Sequence, residues 1–554
     1  MQAQSLPQRV PSEILSAVLD CLSKVDLLLL RLVSRFFLHL VTPLAFSKIS
    51  IEVNVLDRSL FHRNLRLVES LATTSSIISS SVRTLHIKSL FCARYQITSH
   101  PNGSQTTILR DDRPGPDEEI SKAVLSEHLA PFLSKFQNLE AFVWAHDPYR
   151  DPLSCLSLIA DSVSSLPKLK DLSVRIDLNN VDPAKDQLPP LHNFRNLLAL
   201  SVSSEGNRIP AAYCEDEIRP AFEASPGLAS FSLKTDFGKA PVQAILGKEP
   251  RPKLVELALR GVPLPSEGLK LFYSRNLQNL SLSTGPSSRG THIAWPLLWL
   301  TLREAGVQLS SLSVAGFEGA MDEMFGYLLS YSKLKKLSIP IIQMDQQTAE
   351  DAAGDIFWRE IVPQHKGSLI ELALRPFYEG AWCYGPAASR AIQQCASLQQ
   401  LTLGVCGLDL PRAATRIAQL PESSVGVSEL KQVWGHPEHC PVLIVSDLTS
   451  PLVKLSLHPT YEAGERDTDI GHLNHGTRRL GSPYVYEMHK RLDEIENMTE
   501  TVFLRMRASS AGARNWPAAV RIGYTELLKE KEKTESGEEI WEYHQDPIQR
   551  LFLF

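Results

Sequence analysis

The chain is poor in what disulfide-stapled, zinc-bound or nucleic-acid-wrapping proteins require. Its 554 residues hold eight cysteines, Cys21, Cys92, Cys155, Cys214, Cys383, Cys395, Cys406 and Cys440, and no Cys-x-x-Cys pair. That scatter fits reduced intracellular thiols better than a disulfide framework or a zinc finger. Basic charge is not in excess: 57 Lys and Arg stand against 62 Asp and Glu, a net charge of −5. No overall basic field exists to draw the chain to nucleic acid or anionic lipid. The opening MQAQSLPQRVPSE lacks the basic segment and apolar run of a secretion signal. The most apolar stretch is broken by Asp26, Arg31 and Arg35, so it is too short and too charged to span a bilayer. A cytoplasmic or nuclear protein is expected, with no nucleic-acid or membrane partner. Catalytic signatures are missing as well. There is no Gly-rich loop ending in Lys-Ser/Thr, no His-Glu-x-x-His and no Gly-x-Ser-x-Gly. His436, His439 and Cys440 stand in a Pro-rich turn, and His472, His475 and His489 are spread over polar segments; all read as ordinary loop residues. No metal, cofactor or catalytic residue is expected.

What the chain does have is apolar surface in an unlikely place. Ile14, Leu15, Val18, Leu19 and Leu22 recur at helical spacing, with Pro11 suited to the first helical turn and Glu13 to the positive end of the helix dipole. Asp26 is placed to cap a second helix, and Leu27 to Leu30, Leu32, Val33, Phe36 and Phe37 make it apolar nearly all round. A third short helix over Leu38 to Phe46 precedes a strand-like stretch, Ile49 to Val55. Three helices in some forty residues cannot bury so much apolar surface among themselves. The surplus must face something else.

The same residues carry a resemblance. Val10-Pro11-Ser12-Glu13-Ile14-Leu15, Val18-Leu19-Asp20-Cys21-Leu22, Asp26-Leu27-Leu28 and Val33-Ser34-Arg35 follow, in order and spacing, the pattern of the F-box, with Val10 where the family usually has Leu. The resemblance covers less than a tenth of the chain. It implies a three-helix module that docks on the S-phase-kinase-associated adaptor, and through it on a cullin, in an SCF-type (cullin-RING) ubiquitin ligase. On that reading Val10, Pro11, Ile14, Leu15, Val18, Leu19, Leu22, Leu27, Leu28, Leu32 and Val33 supply helix start and apolar contact to the adaptor.

Beyond residue 80 one phrase returns twelve times, as SVRTLHI from Ser81, NLEAFVW from Asn138, KLKDLSV from Lys168, NLLALSV from Asn196 and so on to PLVKLSL from Pro451. Two apolar residues two apart share one face of a short strand, and a leucine three positions earlier turns toward the same core. Segments of helical spacing, such as Glu118 to Phe136 and Leu153 to Val163, lie between phrases. Strand then helix, repeated, predicts an α/β fold: a leucine-rich-repeat solenoid with parallel strands on its concave face. No Asn or Cys follows the strand at a fixed position, so this part resembles the degenerate class of leucine-rich-repeat F-box proteins. The expected organisation is 1–50 F-box, 51–80 linker helix region, 81–460 solenoid, and 461–554 a C-terminal cap with a partly mobile tail.

Between the paired strand apolars stands a small residue, for example Ser173, Ser201, Ser232, Ser313, Thr402 or Ser456, and two positions after it come Arg175, Lys234, Arg260, Arg375 and His458. These basic residues form a sparse edge suited to acidic or phosphorylated groups. The insert Tyr95 to Pro116 reads as a flexible polar loop. A second insert, from Arg375 to Pro386, carries four aromatics directly after a strand. Because binding hot spots favour Trp, Tyr and Arg, Arg260, Arg375, Phe377, Tyr378, Trp382 and Tyr384 are the candidate substrate-binding residues; the competing expectation is that the aromatics fold inward and plug a gap between repeats. The resemblance implies a non-catalytic substrate-recognition subunit that holds a protein for ubiquitination. The alternative is a repeat-based binding scaffold or inhibitor outside any ligase.

Overall fold

The structure, a computed structural model, describes residues 12–54, 58–74, 77–91, 95–99, 105–109, 116–146, 153–178, 188–205, 209–235, 253–284, 293–315, 320–342, 347–405, 452–460, 507–509, 519–522, 525–533 and 539–545, with isolated gaps inside these spans and a few isolated positions elsewhere. The chain divides into two compact units, Met1–Leu271 with Gly285–Ile293, and Phe272–Thr284 with Ala294–Phe554. Among the described residues no helix is long and apolar enough to cross a membrane.

The first unit opens with α1 (Ser12–Asp20), α2 (Lys24–Leu30) and α3 (Arg35–Ala45), and runs directly into β1 (Lys48–Asn54). There follow α4 (Arg58–Thr73), α5 (Ile77–Ser81), β2 (Thr84–Phe91), β3 (Tyr95–Ser99), β4 (Gln105–Leu109), α6 (Pro116–Ser134), β5 (Ala141–His146), α7 (Leu153–Ser164), β6 (Asp171–Asp177), β7 (Ala199–Glu205), β8 (Ser230–Lys234) and β9 (Glu256–Arg260). Strands β1, β2, β5, β6, β7, β8 and β9 pair parallel, each with the next. The register explains why the phrase repeats. Leu85, Phe142, Leu172, Leu200, Phe231 and Leu257 stand side by side across the sheet, and so do Ile87, Trp144, Val174, Val202, Leu233 and Leu259. All twelve are buried, and a one-residue slip in any strand would turn its pair out to solvent. The earlier leucines of the phrases, Leu139, Leu169, Leu197, Leu228 and Leu254, are buried as expected.

Two expectations for this unit need correction. The parallel array begins before residue 81: the strand-like stretch expected at Ile49 to Val55 is β1, whose Ile49 and Ile51 pair with Leu85 and Ile87 and extend both apolar rows, while the expected linker helix region, 51–80, holds α4 and α5. The leucine phrase is absent from β1, because isoleucine fills the same inward positions and gave no match. The insert after β2 is not irregular: β3 and β4 form an antiparallel hairpin pairing Tyr95 with Leu109 through Ser99 with Gln105.

The second unit repeats the plan with β10 (Asn279–Ser283), β11 (Ser311–Ala315), β12 (Lys336–Ile342), β13 (Glu371–Pro376), β14 (Gln400–Val405) and β15 (Lys454–Pro459). Helices Trp295–Glu304, Met321–Leu328, Gln347–Ile356 and Pro386–Gln393 lie between them in sequence. The parallel ladder does not stop at residue 460. After β16 (Arg507–Ser509), β17 (Ala519–Ile522) pairs parallel with β15, so that Leu280, Leu312, Leu337, Leu372, Leu401, Leu455 and Val520 form one apolar row. The direction then reverses. β18 (Thr525–Lys533) is antiparallel to β17, and β19 (Glu539–Gln545) is antiparallel to both β18 and β16. The charged run from Glu526 thus forms an antiparallel end to the sheet. The expected strand at Val502 to Met506 and the chain end after Gln545 lie outside the described residues, as does most of the expected helix Tyr484 to Met498.

If β1 is a working repeat, Ile51→Ala will cost about 2–5 kcal/mol, comparable with Leu172→Ala in the middle of the unit. Thermal melting of both variants checks this; a silent Ile51→Ala beside a damaging Leu172→Ala would return β1 to the status of a linker.

Candidate interaction surfaces

The second and third N-terminal helices owe their starts to serine. Ser23 caps α2: its Oγ accepts from the Asp26 N–H at 3.2 Å, and its hydroxyl donates to Asp26 Oδ2 at 2.6 Å. The cap is therefore Ser23, with Asp26 as its reciprocal partner in the first turn, rather than Asp26 itself. Ser34 caps α3 by accepting from the Phe37 N–H at 3.3 Å. The Arg31 guanidinium lies over the Phe46 ring, 4.6 Å from its centroid, and holds the α2–α3 turn against the end of α3.

The apolar residues of this module divide into two sets. Leu19 and Leu27 are buried with Val41 and Ala45, and Leu15, Leu22 and Leu28 pack half-buried against them. As the module's own core, Leu19 and Leu27 are not available for contact with a partner, which corrects their place among the adaptor-facing residues. The second set is exposed: Ile14 at 56%, Val18 at 54%, Leu32 at 83% and Val33 at 67%. Val25 and Leu29, one turn apart on α2, are exposed too and belong with them. Sequence periodicity did not separate these sets because α2 is apolar on nearly every side. Ile14, Ala17, Val18, Cys21 and Leu22 line a shallow apolar depression on α1. Val10 and Pro11 lie outside the described residues.

The sheet face opposite the leucine rows carries the small and basic residues. In the first unit Arg175, Ser203, Lys234 and Arg260 occupy one register row across β6 to β9. Arg175 bonds Glu205 Oε2 at 2.6 Å, with both side chains more than half exposed, so the pair contributes under about 1 kcal/mol and is open to exchange. Arg260 is exposed at the end of β9; in the second unit Arg375 is exposed near the end of β13.

The aromatic insert after β13 is not a surface. Trp382 is 0% exposed, and Tyr378 and Tyr384 are buried with it. The Trp382 ring lies 4.9 Å from Phe357, and its Nε1 donates to the Glu350 carbonyl at 2.9 Å. Trp358 Nε1 donates to the Ala381 carbonyl at 2.9 Å, Asp351 Oδ1 accepts from the Ala381 N–H at 2.8 Å, and the Tyr384 N–H donates to the Gly404 carbonyl at 3.1 Å. The packing allows no enlargement: a Cβ on Gly380 would stand 2.5 Å from Asp351 Oδ1, and one on Gly354 2.9 Å from the Ala381 Cβ. Tyr378, Trp382 and Tyr384 are therefore withdrawn as contact residues. A loop of large rings joined to a strand end gains more from burial, about 1.5–3 kcal/mol per side chain, than from lying in water. Phe377 lies outside the described residues.

Among the described residues no group of three or more His, Cys, Asp or Glu is placed to hold a metal ion. His436, His439, Cys440, His472, His475 and His489 lie outside them. No protein-family model matches the chain, and no curated protein matches it at a significant level.

Trp382→Ala will destabilise the second unit by about 3–5 kcal/mol, and Trp382→Phe by less. Thermal melting distinguishes this plug from a binding loop: an unchanged midpoint for Trp382→Ala would put the ring back on the surface.

Proposed function

We propose that the chain is the substrate-recognition subunit of an SCF-type ubiquitin ligase, its N-terminal helices docking the adaptor and its repeats holding the protein to be modified. The observation that carries the reading is the exposed half of the helical module. Ile14, Val18, Leu32 and Val33 fall within the F-box pattern and face solvent. A module that only capped the first strand would bury those side chains. Apolar residues at this density on a small module mark a protein contact.

The way the module is joined to the sheet suits the role. α3 ends at Ala45 and β1 starts at Lys48, and the Ser47 carbonyl between them accepts the N–H groups of Arg83 and Thr84 at 2.8 and 2.9 Å. The docking helices and the first repeats thus share a backbone anchor with no slack between them. In a receptor, such a joint holds a bound protein at a set distance from the adaptor. Catalysis then belongs to the other subunits, and this chain contributes proximity, raising the effective concentration of its substrate beside the ubiquitin-loaded enzyme. The partners in this reading are the adaptor, a cullin through it, and a protein substrate, in the cytoplasm or nucleus.

Leu32→Asp with Val33→Asp will abolish co-purification of the adaptor while changing stability by no more than about 0.5 kcal/mol each, because both positions are surface sites. Leu27→Asp will unfold the module and lose the adaptor for a different reason, visible as a lost melting transition. Undiminished adaptor capture by the folded Leu32/Val33 variant, or purification of the intact chain without any adaptor, sinks the ligase reading and leaves the scaffold.

A further inference from the structure

In the turn before a strand, one carbonyl accepts the N–H of the phrase's first leucine. Phe136, Leu166, Ser225, Ser274 and Cys395 hold this position in five repeats, accepting from Leu139, Leu169, Leu228, Leu277 and Leu398, and all five are buried. None of them carries a charge near neutral pH; burial pushes even the Cys395 thiol up to about 11. The repeat of β13 departs from this pattern. Its residue is His365, whose carbonyl accepts from Leu369 at 3.0 Å and whose side chain is buried.

The ring stands at a joint between two repeats. Gln364 Nε2 donates to the carbonyls of Leu329 and Tyr331 at 3.3 and 3.1 Å, and the Ser368 hydroxyl donates to that of Leu334 at 2.7 Å, so the end of helix Val362–His365 is tied to the preceding turn on both sides of His365. The imidazole lies 5.2 Å from the Tyr331 ring, and neither of its nitrogens has a hydrogen-bond partner among the described residues. A neutral ring tolerates this; a protonated one would bury a charge and a second N–H with nothing to receive them. The titratable groups beside it are the phenols of Tyr331 and Tyr327, which burial keeps protonated. The charged side chains of the elements packed here, Asp322 and Glu323 on Met321–Leu328, Arg359, Glu360 and Lys366 on or next to its own helical run, and Arg390 on Pro386–Gln393, are none of them buried. Burial, opposed in part by the Leu328 carbonyl, brings the His365 pKa down to about 4.

We propose that His365 is a proton-operated latch of the second unit: when the ring takes up a proton from solvent, the joint between Val362–His365 and the turn at Tyr331 opens to give the charge access to water. The folded chain holds the ring neutral more strongly than the unfolded chain does. The stability this contributes is whole above the ordinary histidine value of 6.5 and is lost as pH falls from there toward 4. Opening is local at first, because the ties that fail are those of Gln364 and Ser368 to one neighbouring repeat, and an array of repeats yields at its weakest joint before it yields as a whole.

The test is hydrogen–deuterium exchange of the full chain at about pH 7.5 and 5.5, with amide rates corrected for their intrinsic pH dependence; most carboxylates stay ionised across this window. In the wild-type chain the amides of 362–369 are expected to open about tenfold more often at the lower pH, as the displaced pKa requires. In His365→Leu, which places there the residue that serves at Leu166, that acid gain is expected to vanish. Should His365→Leu melt early, His365→Phe, after Phe136, carries the same expectation, since the ratio between the two pH values is read within each variant. Equal protection of the wild-type amides at both pH values overturns the proposal, and so does a His365 ring that titrates near 6.5 by NMR in the folded chain. An acid gain that survives in a folded His365 variant also overturns it, and passes the effect to another group. Adaptor capture plays no part here, so the latch and the ligase reading can fail separately.

Discussion

One backbone contact recurs at the mouth of nearly every repeat and sets the rest in place. The carbonyl just before a strand accepts two successive N–H groups from the residues that open the next parallel strand. In the first unit Ser47 takes Arg83 and Thr84, Arg83 takes Glu140 and Ala141, Glu140 takes Lys170 and Asp171, and the series continues through Lys170, Leu198 and Ala229. In the second unit Gln278, Ser310, Lys335, Ile370 and Gln399 do the same. These bonds fix where each strand starts relative to the one before. Once the start is fixed, alternation of side chains does the rest: the two apolar residues of each strand fall into common rows, and the residue between them falls outside. The acceptor is main chain, so the device asks little of the side chain that bears it. That is why repeats of this kind tolerate the absence of a fixed Asn or Cys after the strand, and why Ser, Arg, Glu, Lys, Leu and Ala all serve at the same structural position.

The same constraint explains what the sequence displayed and what it concealed. All twelve leucine phrases fall on strands, because a phrase with two inward residues and one earlier inward leucine describes three buried positions at once. β1 was legible as a strand over Ile49 to Val55 but not as a repeat, because its inward residues are Ile49 and Ile51 and no leucine precedes them at the phrase spacing; only the pairing with β2 shows that it is the same unit. β17 was concealed for a related reason. Its apolar pair Val520 and Ile522 sits far beyond the last phrase, and the partner of β15 cannot be read from sequence separation when other chain intervenes.

Site residues were less legible than strands, and the difference is physical. Periodicity tells which residues are apolar; it does not tell which of several apolar sides a short helix turns inward. Leu27 and Leu29 look equivalent in sequence, yet one is core and the other exposed, because α2 packs against α3 along a single stripe. The aromatic insert failed the other way. Trp and Tyr are as much core residues as contact residues, and what decides is whether their polar atoms find partners inside. Trp382 and Trp358 both donate to main-chain carbonyls within the insert and the helical run 347–365, so the rings enter the core without leaving a donor unpaired.

Register also dictates where recognition chemistry can go. Every second strand residue is committed to the apolar rows, so polar function is confined to the opposite face and to strand ends. On that face, neighbouring strands place side chains about 4.8 Å apart, which is close enough for like charges to repel. A repeat array therefore keeps most of these positions small, and large basic residues are affordable only near strand ends, where side chains can splay apart. Arg175, Lys234, Arg260 and Arg375 all stand at or near the last residues of their strands.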